Sequence, residues 1–413
     1  MADFVAVSET LSPEIHIPEE WSDAANAITY DSTTSSPPIA LICGAKNSGK
    51  TTFSRHLLNT LLLRYKRIAY LDTDVGQPEF TPSGCLSLTI INQATLDLTI
   101  PCLKTPERCY FFGDVSSKRD PEGYLNCVFA LHEYYKNEYC SSRKIGTSAD
   151  VPLIVNTPGW VKGIGFDVLV GMLKHISPTH VVKINISPDV IYLKRKTPED
   201  KNLPGGLFWL DVDDDDDAPV NLLEITSASK DCYGRPVLIQ KEARRNREVR
   251  LMVYFRQCFR SDASITTIKE LAHALASHTP YQVPISRIKI RHLHCEVPAT
   301  EVLYSLNATV IGLAVSSRDS QSLPLCVGLG IVRGIDVSKN LLYVITPVPL
   351  STLASVDSIL QGFVQIPTGL LQVQGCISPY MSANVLPEES SQNTKTKESK
   401  SRRSVLADAV CVT

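Results

Sequence analysis

The chain has 413 residues, a formal net charge of −2, 43% hydrophobic and 20% charged residues, which exceeds one ordinary domain and matches globular usage. No apolar run approaches the roughly 18 residues that a bilayer span needs, so no membrane association is expected. Near-neutral charge means that a nucleic-acid partner must be held by a local basic surface. The start of the chain lacks the positive and apolar segments of a secretory signal, and the 12 cysteines show no CxxC pair; they are expected to be reduced core residues, with no zinc cluster among them.

Residues 1–38 are polar and close on Thr33-Thr34-Ser35-Ser36-Pro37-Pro38, which predicts a flexible segment leading into the first strand. Residues 39–43, 68–71, 153–155 and 181–184 are short apolar runs with the character of buried strands. Helical patterns fall between them. One begins at Lys50 and aligns Phe53, Leu57, Leu58, Leu61 and Leu62; another, near residues 124–135, aligns Leu125, Val128, Phe129 and His132. This alternation predicts an α/β fold over residues 39–284, a mainly parallel sheet flanked by helices. Beyond Pro284, β-branched residues and Gly/Pro turns predict a small β-rich C-terminal domain over 285–380. The acidic run at 211–217 reads as a solvated loop, and the polar tail 381–413, with Lys400, Arg402 and Arg403, as disordered when alone.

The chemistry begins where the first strand ends. Gly44-Ala45-Lys46-Asn47-Ser48-Gly49-Lys50-Thr51, followed by Thr52, matches GxxxxGK[ST] between a strand and a helix, the context that a phosphate-binding loop requires. Backbone N–H groups of such a loop point at the β-phosphate, and the helix start adds its positive dipole end. Lys50 would charge-balance the β- and γ-phosphates of ATP, and the Thr51 hydroxyl would coordinate Mg²⁺. The second strand runs into Asp72-Thr73-Asp74. Residues two apart on a strand share a face, so both carboxylates can point at the metal and γ-phosphate, one serving the metal and the other an incoming hydroxyl. Either of them can instead cap a turn. A guanine-reading motif is lacking, since Ser117-Lys118-Arg119-Asp120 is only a distant analogue of it.

Several further motifs narrow the reaction. Asp74-Val75-Gly76-Gln77, continued by Glu79-Phe80-Thr81-Pro82-Ser83-Gly84, and Val155-Asn156-Thr157-Pro158-Gly159-Trp160-Val161 stand in order behind the loop. In them the chain resembles the eukaryotic polynucleotide 5′-hydroxyl kinases, over most of residues 39–260. Tyr110-Phe111-Phe112-Gly113-Asp114-Val115-Ser116 tilts the resemblance to the nucleolar branch, which acts in ribosomal-RNA processing. The resemblance implies that Asp74 lies near the metal and the attacking hydroxyl with Gln77 beside it. It implies that Thr157, Gly159 and Trp160 form a clasp that orients nucleotide and substrate end. Residues 241–250 hold five basic side chains, and a helix bearing arginines can deliver positive charge while excluding water. This segment resembles the family's lid, in which Arg245 and Arg250 fit the spacing best, with Arg244 and Arg247 adjacent. Larger family members carry a folded domain ahead of the kinase domain, so the adenine contacts stay unassigned, as does Trp209 in the loop 204–209.

The resulting expectation is an ATP- and Mg²⁺-dependent kinase that phosphorylates 5′-hydroxyl ends of RNA. By resemblance it would be nuclear, in the nucleolus, and would work with an endoribonuclease of pre-ribosomal-RNA processing. The competing expectation is a nucleotide-bound scaffold of such a complex with little turnover.

Overall fold

The computed structural model describes residues 17–32, 36–95, 102–140, 151–186, 220–228, 236–260, 262–316 and 323–371. The readings made for the loop 204–209, the acidic run 211–217 and the tail 381–413 lie outside them. In chain order the first sheet comprises β1 (Ile39–Gly44), β2 (Ile68–Asp72), β3 (Cys85–Ile91), β4 (Arg108–Phe111), β5 (Leu153–Asn156), β6 (His180–Asn185) and β7 (Asn221–Thr226). Their spatial order is β4-β3-β2-β5-β1-β6-β7. β2, β5, β1, β6 and β7 run parallel, and only β3 is reversed, pairing antiparallel with β2 and β4.

Both faces of this sheet are covered, which is why its strands read as unbroken apolar runs. Leu41 and Cys43 of β1 pack towards α3 (Pro121–Tyr135) and α4 (Ile164–Ile176), while Ala40 and Ile42 pack towards α1 (Glu19–Thr29) and α2 (Lys50–Leu61). In α2 the predicted face is the buried one: Phe53, Leu57, Leu58 and Leu61 are fully buried and Leu62 half-buried. Each such side chain contributes about 1.5–3 kcal/mol.

Helix α1 corrects the expectation that residues 1–38 are flexible. Trp21, Ala24, Ala25 and Ile28 recur at helical spacing and are buried against α2 and β7, and the Trp21 indole donates to the Thr226 carbonyl at 2.8 Å. Glu19, Glu20, Asp23 and Asn26 lie among them in sequence, so average polarity masks a narrow apolar stripe.

The second sheet comprises β8 (Tyr281–Pro284), β9 (Lys289–His292), β10 (Val310–Val315), β11 (Leu325–Asp336), β12 (Leu341–Ile345) and β13 (Ser358–Gln361), in the order β8-β12-β11-β10-β13-β9. It is antiparallel apart from the β13–β9 pair. Its first strand precedes residue 285, because residues 281–284 pair with β12. One face shares a core with Cys85, Cys109 and Phe111 of the first sheet's edge, with Leu251 and Phe255 of α5 (Pro236–Arg256), and with Leu271 of α6 (Ile268–Ser277). Helix α5, which carries Arg244, Arg245, Arg247 and Arg250, thereby joins the core that the two sheets share.

Candidate active site

At the end of β1 the backbone leaves the sheet at Gly44 (φ 149°) and enters α2 through Asn47 (φ 62°) and Gly49 (φ 96°). Gly49 has a second reason to be glycine: a Cβ there would stand 2.7 Å from the Trp21 ring. Helix α1 therefore braces the loop directly. Lys50, the first residue of α2, is buried, and its ammonium donates to the Gly44 and Ala45 carbonyls at 3.0 and 2.8 Å. Burial lowers its pKa to about 8, against the opposing pull of Asp74 and Cys43. The Ser48 hydroxyl is buried with no hydrogen-bond partner among the described residues. Lys46 is exposed on the loop, and Thr51 and Thr52 are half-buried at the helix start.

β2 stops at Asp72, so the strand-alternation argument for Asp72 and Asp74 does not reach the second of them. Asp74 belongs to the turn that follows, where its Oδ1 accepts from the Gly76 and Gln77 N–H groups, both at 3.0 Å. Its carboxylate interacts electrostatically with Lys50 and with Arg247. Asp72 is buried and faces inward, accepting from the Glu79 N–H at 2.5 Å, the Asn156 Nδ2 at 3.2 Å and the Asp74 N–H at 3.3 Å. Burial pushes its carboxyl up to about 7, although the donors favour the ionised form. Its oxygens hold the turn in place. The turn alternative, left open for one of the two aspartates, describes both.

The Thr157-Gly159-Trp160 segment follows β5, the strand beside β1. Thr157 is buried and donates to the Ile42 carbonyl at 2.7 Å, tying the two strand ends together. Gly159 lies against the phosphate-binding loop, where a Cβ would come within 2.6 Å of the Lys46 Cα. Trp160 is half-buried beside Tyr124, ring centroids 5.6 Å apart, and the Tyr124 hydroxyl donates to the Thr73 carbonyl at 2.7 Å. The loop, the aspartate turn and the 157–160 segment thus meet at one end of the sheet, where open α/β sheets bind ligands.

The arginine pair divides differently from the expectation. Arg245 is exposed on α5. Arg250 donates to the Pro78 carbonyl at 2.6 Å and to Glu79 at 3.3 Å, and Glu79 also pairs with buried Arg55 at 3.0 Å. Arg247 is half-buried and interacts electrostatically with Asp74. Helical spacing gives the reason: Ala243, Arg247, Arg250, Leu251 and Tyr254 follow the i, i+4, i+7, i+8, i+11 stripe that faces the body of the protein, whereas Arg245 lies off it. Asn156 lies within the motif at 155–161, but the sequence assigns it no role. It ends the strand next to β1, bonds Asp72, and its Oδ1 is buried without a hydrogen-bond partner among the described residues; its place at a strand end beside the loop was the available signal.

A pH dependence follows for any nucleotide polyphosphate held by this loop. Phosphate oxygens favour the Lys50 cation, so affinity is expected to be flat below about pH 8 and to fall by up to roughly tenfold per unit above it. Calorimetric titrations between pH 7 and 10 check this; constant affinity across pH 9 contradicts a charge-bearing role for Lys50.

Residues 44–203 match the family described as mRNA cleavage and polyadenylation factor CLP1 P-loop, and residues 276–367 match the NOL9-like C-terminal domain. The chain is 56% identical over 372 residues to the Polynucleotide 5′-hydroxyl-kinase NOL9 of Arabidopsis thaliana, covering 90% of this chain and 96% of that relative. It is 31% identical over 385 residues to the protein of the same name from Homo sapiens, covering 84% of this chain and 52% of the relative. The chain thus spans nearly all of the plant relative and about half the length of the human one. The Clp1p chain of a structure titled "Structure of wild-type Clp1p-Pcf11p (454 -563) complex" superposes with a TM-score of 0.56 at 16% identity, covering 84% of this chain and 78% of its own, a likeness of fold.

Proposed function

Since the chain belongs to the polynucleotide 5′-hydroxyl kinase family and carries its phosphate-binding loop, we propose that it transfers the γ-phosphoryl group of ATP to the 5′-hydroxyl of RNA in pre-ribosomal-RNA processing. The observation that carries this reading is that the Asp74 carboxylate interacts electrostatically both with Lys50 of the phosphate-binding loop and with Arg247 of α5. Transfer to a hydroxyl uses such a carboxylate to take up the proton.

Asp74 accepts the proton of the RNA 5′-hydroxyl as its oxygen bonds to the γ-phosphorus and the bond to the β,γ-bridging oxygen breaks. Its Oδ1 is oriented by the Gly76 and Gln77 N–H groups, so the carboxylate is positioned before substrate arrives. Lys50 and Arg247 balance the charge that develops on the transferring group. Thr51 and Asp74 supply the hard oxygen donors that suit Mg²⁺, which when bound would neutralise phosphate charge. Trp160, packed beside Tyr124, would orient the acceptor end. A nucleolar location, which the name of the relatives supports, fits this activity, as does an endoribonuclease partner that leaves 5′-hydroxyl ends. Among the described residues no helix is long and apolar enough to cross a membrane.

Incubating the protein with γ-labelled ATP, Mg²⁺ and a 5′-hydroxyl oligoribonucleotide is expected to place label on the RNA 5′ end. Absence of label on RNA, under conditions in which ATP binding is measured directly, overturns the proposal.

A further inference from the structure

Away from the active-site mouth, α3 and α4 lie side by side on one face of the first sheet. His132 and Glu133 of α3 and His175 of α4 each bring one ligand-type atom together, all within 4.8 Å of one another. His132 is buried, and neither of its ring nitrogens has a hydrogen-bond partner among the described residues. That is costly for a polar ring in a core unless something meets it. His175 Nε2 stands 3.4 Å from Glu133 Oε1, yet it too makes no hydrogen bond. Lys136 is the other charged group on Glu133, at 3.7 Å.

We propose that His132, Glu133 and His175 are the protein ligands of a divalent transition-metal ion of the zinc class, which ties α3 to α4. Two imidazole nitrogens and a carboxylate are a donor set that zinc takes, with water completing a tetrahedron. The spacing agrees with that geometry. With metal–ligand bonds of about 2.0–2.1 Å, a tetrahedral edge is roughly 3.4 Å and two coordinated imidazoles have centroids roughly 5 Å apart. The His175–Glu133 approach is 3.4 Å, and the His132 and His175 centroids are 5.4 Å apart at 71°. Phe129 stacks on His175 at 3.8 Å and fixes the plane of that ring. A neutral imidazole offers a lone pair to such an ion.

The same two helices carry the parts that hold Trp160. Tyr124 of α3 packs beside it with the rings tilted at 53°, and Gly165 of α4 leaves room for it, since a Cβ there would lie 2.4 Å from the Trp160 Cβ. The ion joins the helices farther along their length, at His132 and His175, and so acts on stability and not on the phosphoryl transfer itself.

The test uses the whole chain, stripped of metal and free of nucleotide, titrated with Co²⁺ as the spectroscopic probe. The expected result is one equivalent of Co²⁺ with the intense visible absorption of a tetrahedral site, displaced by Zn²⁺. An ion held by oxygen ligands at the phosphate-binding loop would give only the weak octahedral bands. H175N and E133Q, at partly exposed positions whose change leaves the core packed, should each weaken binding by roughly tenfold or more. H132N should do the same if it folds, and H273N, at an exposed histidine elsewhere, should bind as the parent does. Absence of the tetrahedral absorption, or equal binding by the parent, H175N and E133Q, overturns the proposal.

Discussion

Lys50→Ala is expected to lower phosphoryl transfer by about 10³-fold or more while the fold is retained, equivalent to roughly 4 kcal/mol of lost transition-state stabilisation. The lysine is buried at the first turn of α2 with its ammonium on the Gly44 and Ala45 carbonyls. That places a single positive charge inside the loop, where low dielectric strengthens its effect on phosphate oxygens. Alanine removes the charge and keeps the helix, since alanine is the best helix former. Quenched-flow transfer assays beside circular dichroism separate the two effects. A scaffold with little turnover would instead show an assembly defect with no catalytic rate to lose.

The second large effect separates two arginines three residues apart. Arg247→Ala should lower turnover by about 10³-fold with stability nearly unchanged, because its charge acts beside Asp74 and the side chain is only half-buried. Arg250→Ala should chiefly destabilise the protein. Glu79, with a side chain 4% exposed, is held between Arg55 and Arg250, and removing one guanidinium from such a site costs about 3 kcal/mol. Burial already raises the Glu79 carboxyl against the pull of both arginines. In the variant it takes up a proton more readily, which keeps the loss at the low end of that range. Denaturant titration and steady-state kinetics on both variants check the division. If Arg250→Ala loses turnover at full stability, Arg250 belongs to the chemistry.

Much of this arrangement was legible in the sequence because it depends on local patterns. The strands at 39–44, 68–72, 153–156 and 180–185 are apolar runs buried on both faces, and the phosphate-binding loop announces itself by glycines at fixed offsets. Helix α1 was not legible as a packed element, since its apolar stripe is narrow and its partners, α2 and β7, are remote in the chain. Asp72 and Asp74 read as strand neighbours, but β2 ends between them, and strand ends are the least predictable feature of a sequence. The arginines show a different limit. Family spacing favoured Arg245 and Arg250, whereas the helical stripe through Ala243, Leu251 and Tyr254 selects Arg247 and Arg250. What divides those two is Glu79, a contact 171 residues away that no local pattern contains.

The central claim is that loop, aspartate turn and Arg247 form one site for phosphoryl transfer to a hydroxyl. Its most direct measurement is single-turnover transfer from γ-labelled ATP to two oligoribonucleotides of identical sequence, one ending in a 5′-hydroxyl and the other in a 5′-phosphate. With both bound to saturation, label should appear on the 5′-hydroxyl strand alone, at its 5′ end. Equal release of free labelled phosphate with either strand, and none on RNA, would contradict the account and leave a nucleotide hydrolase.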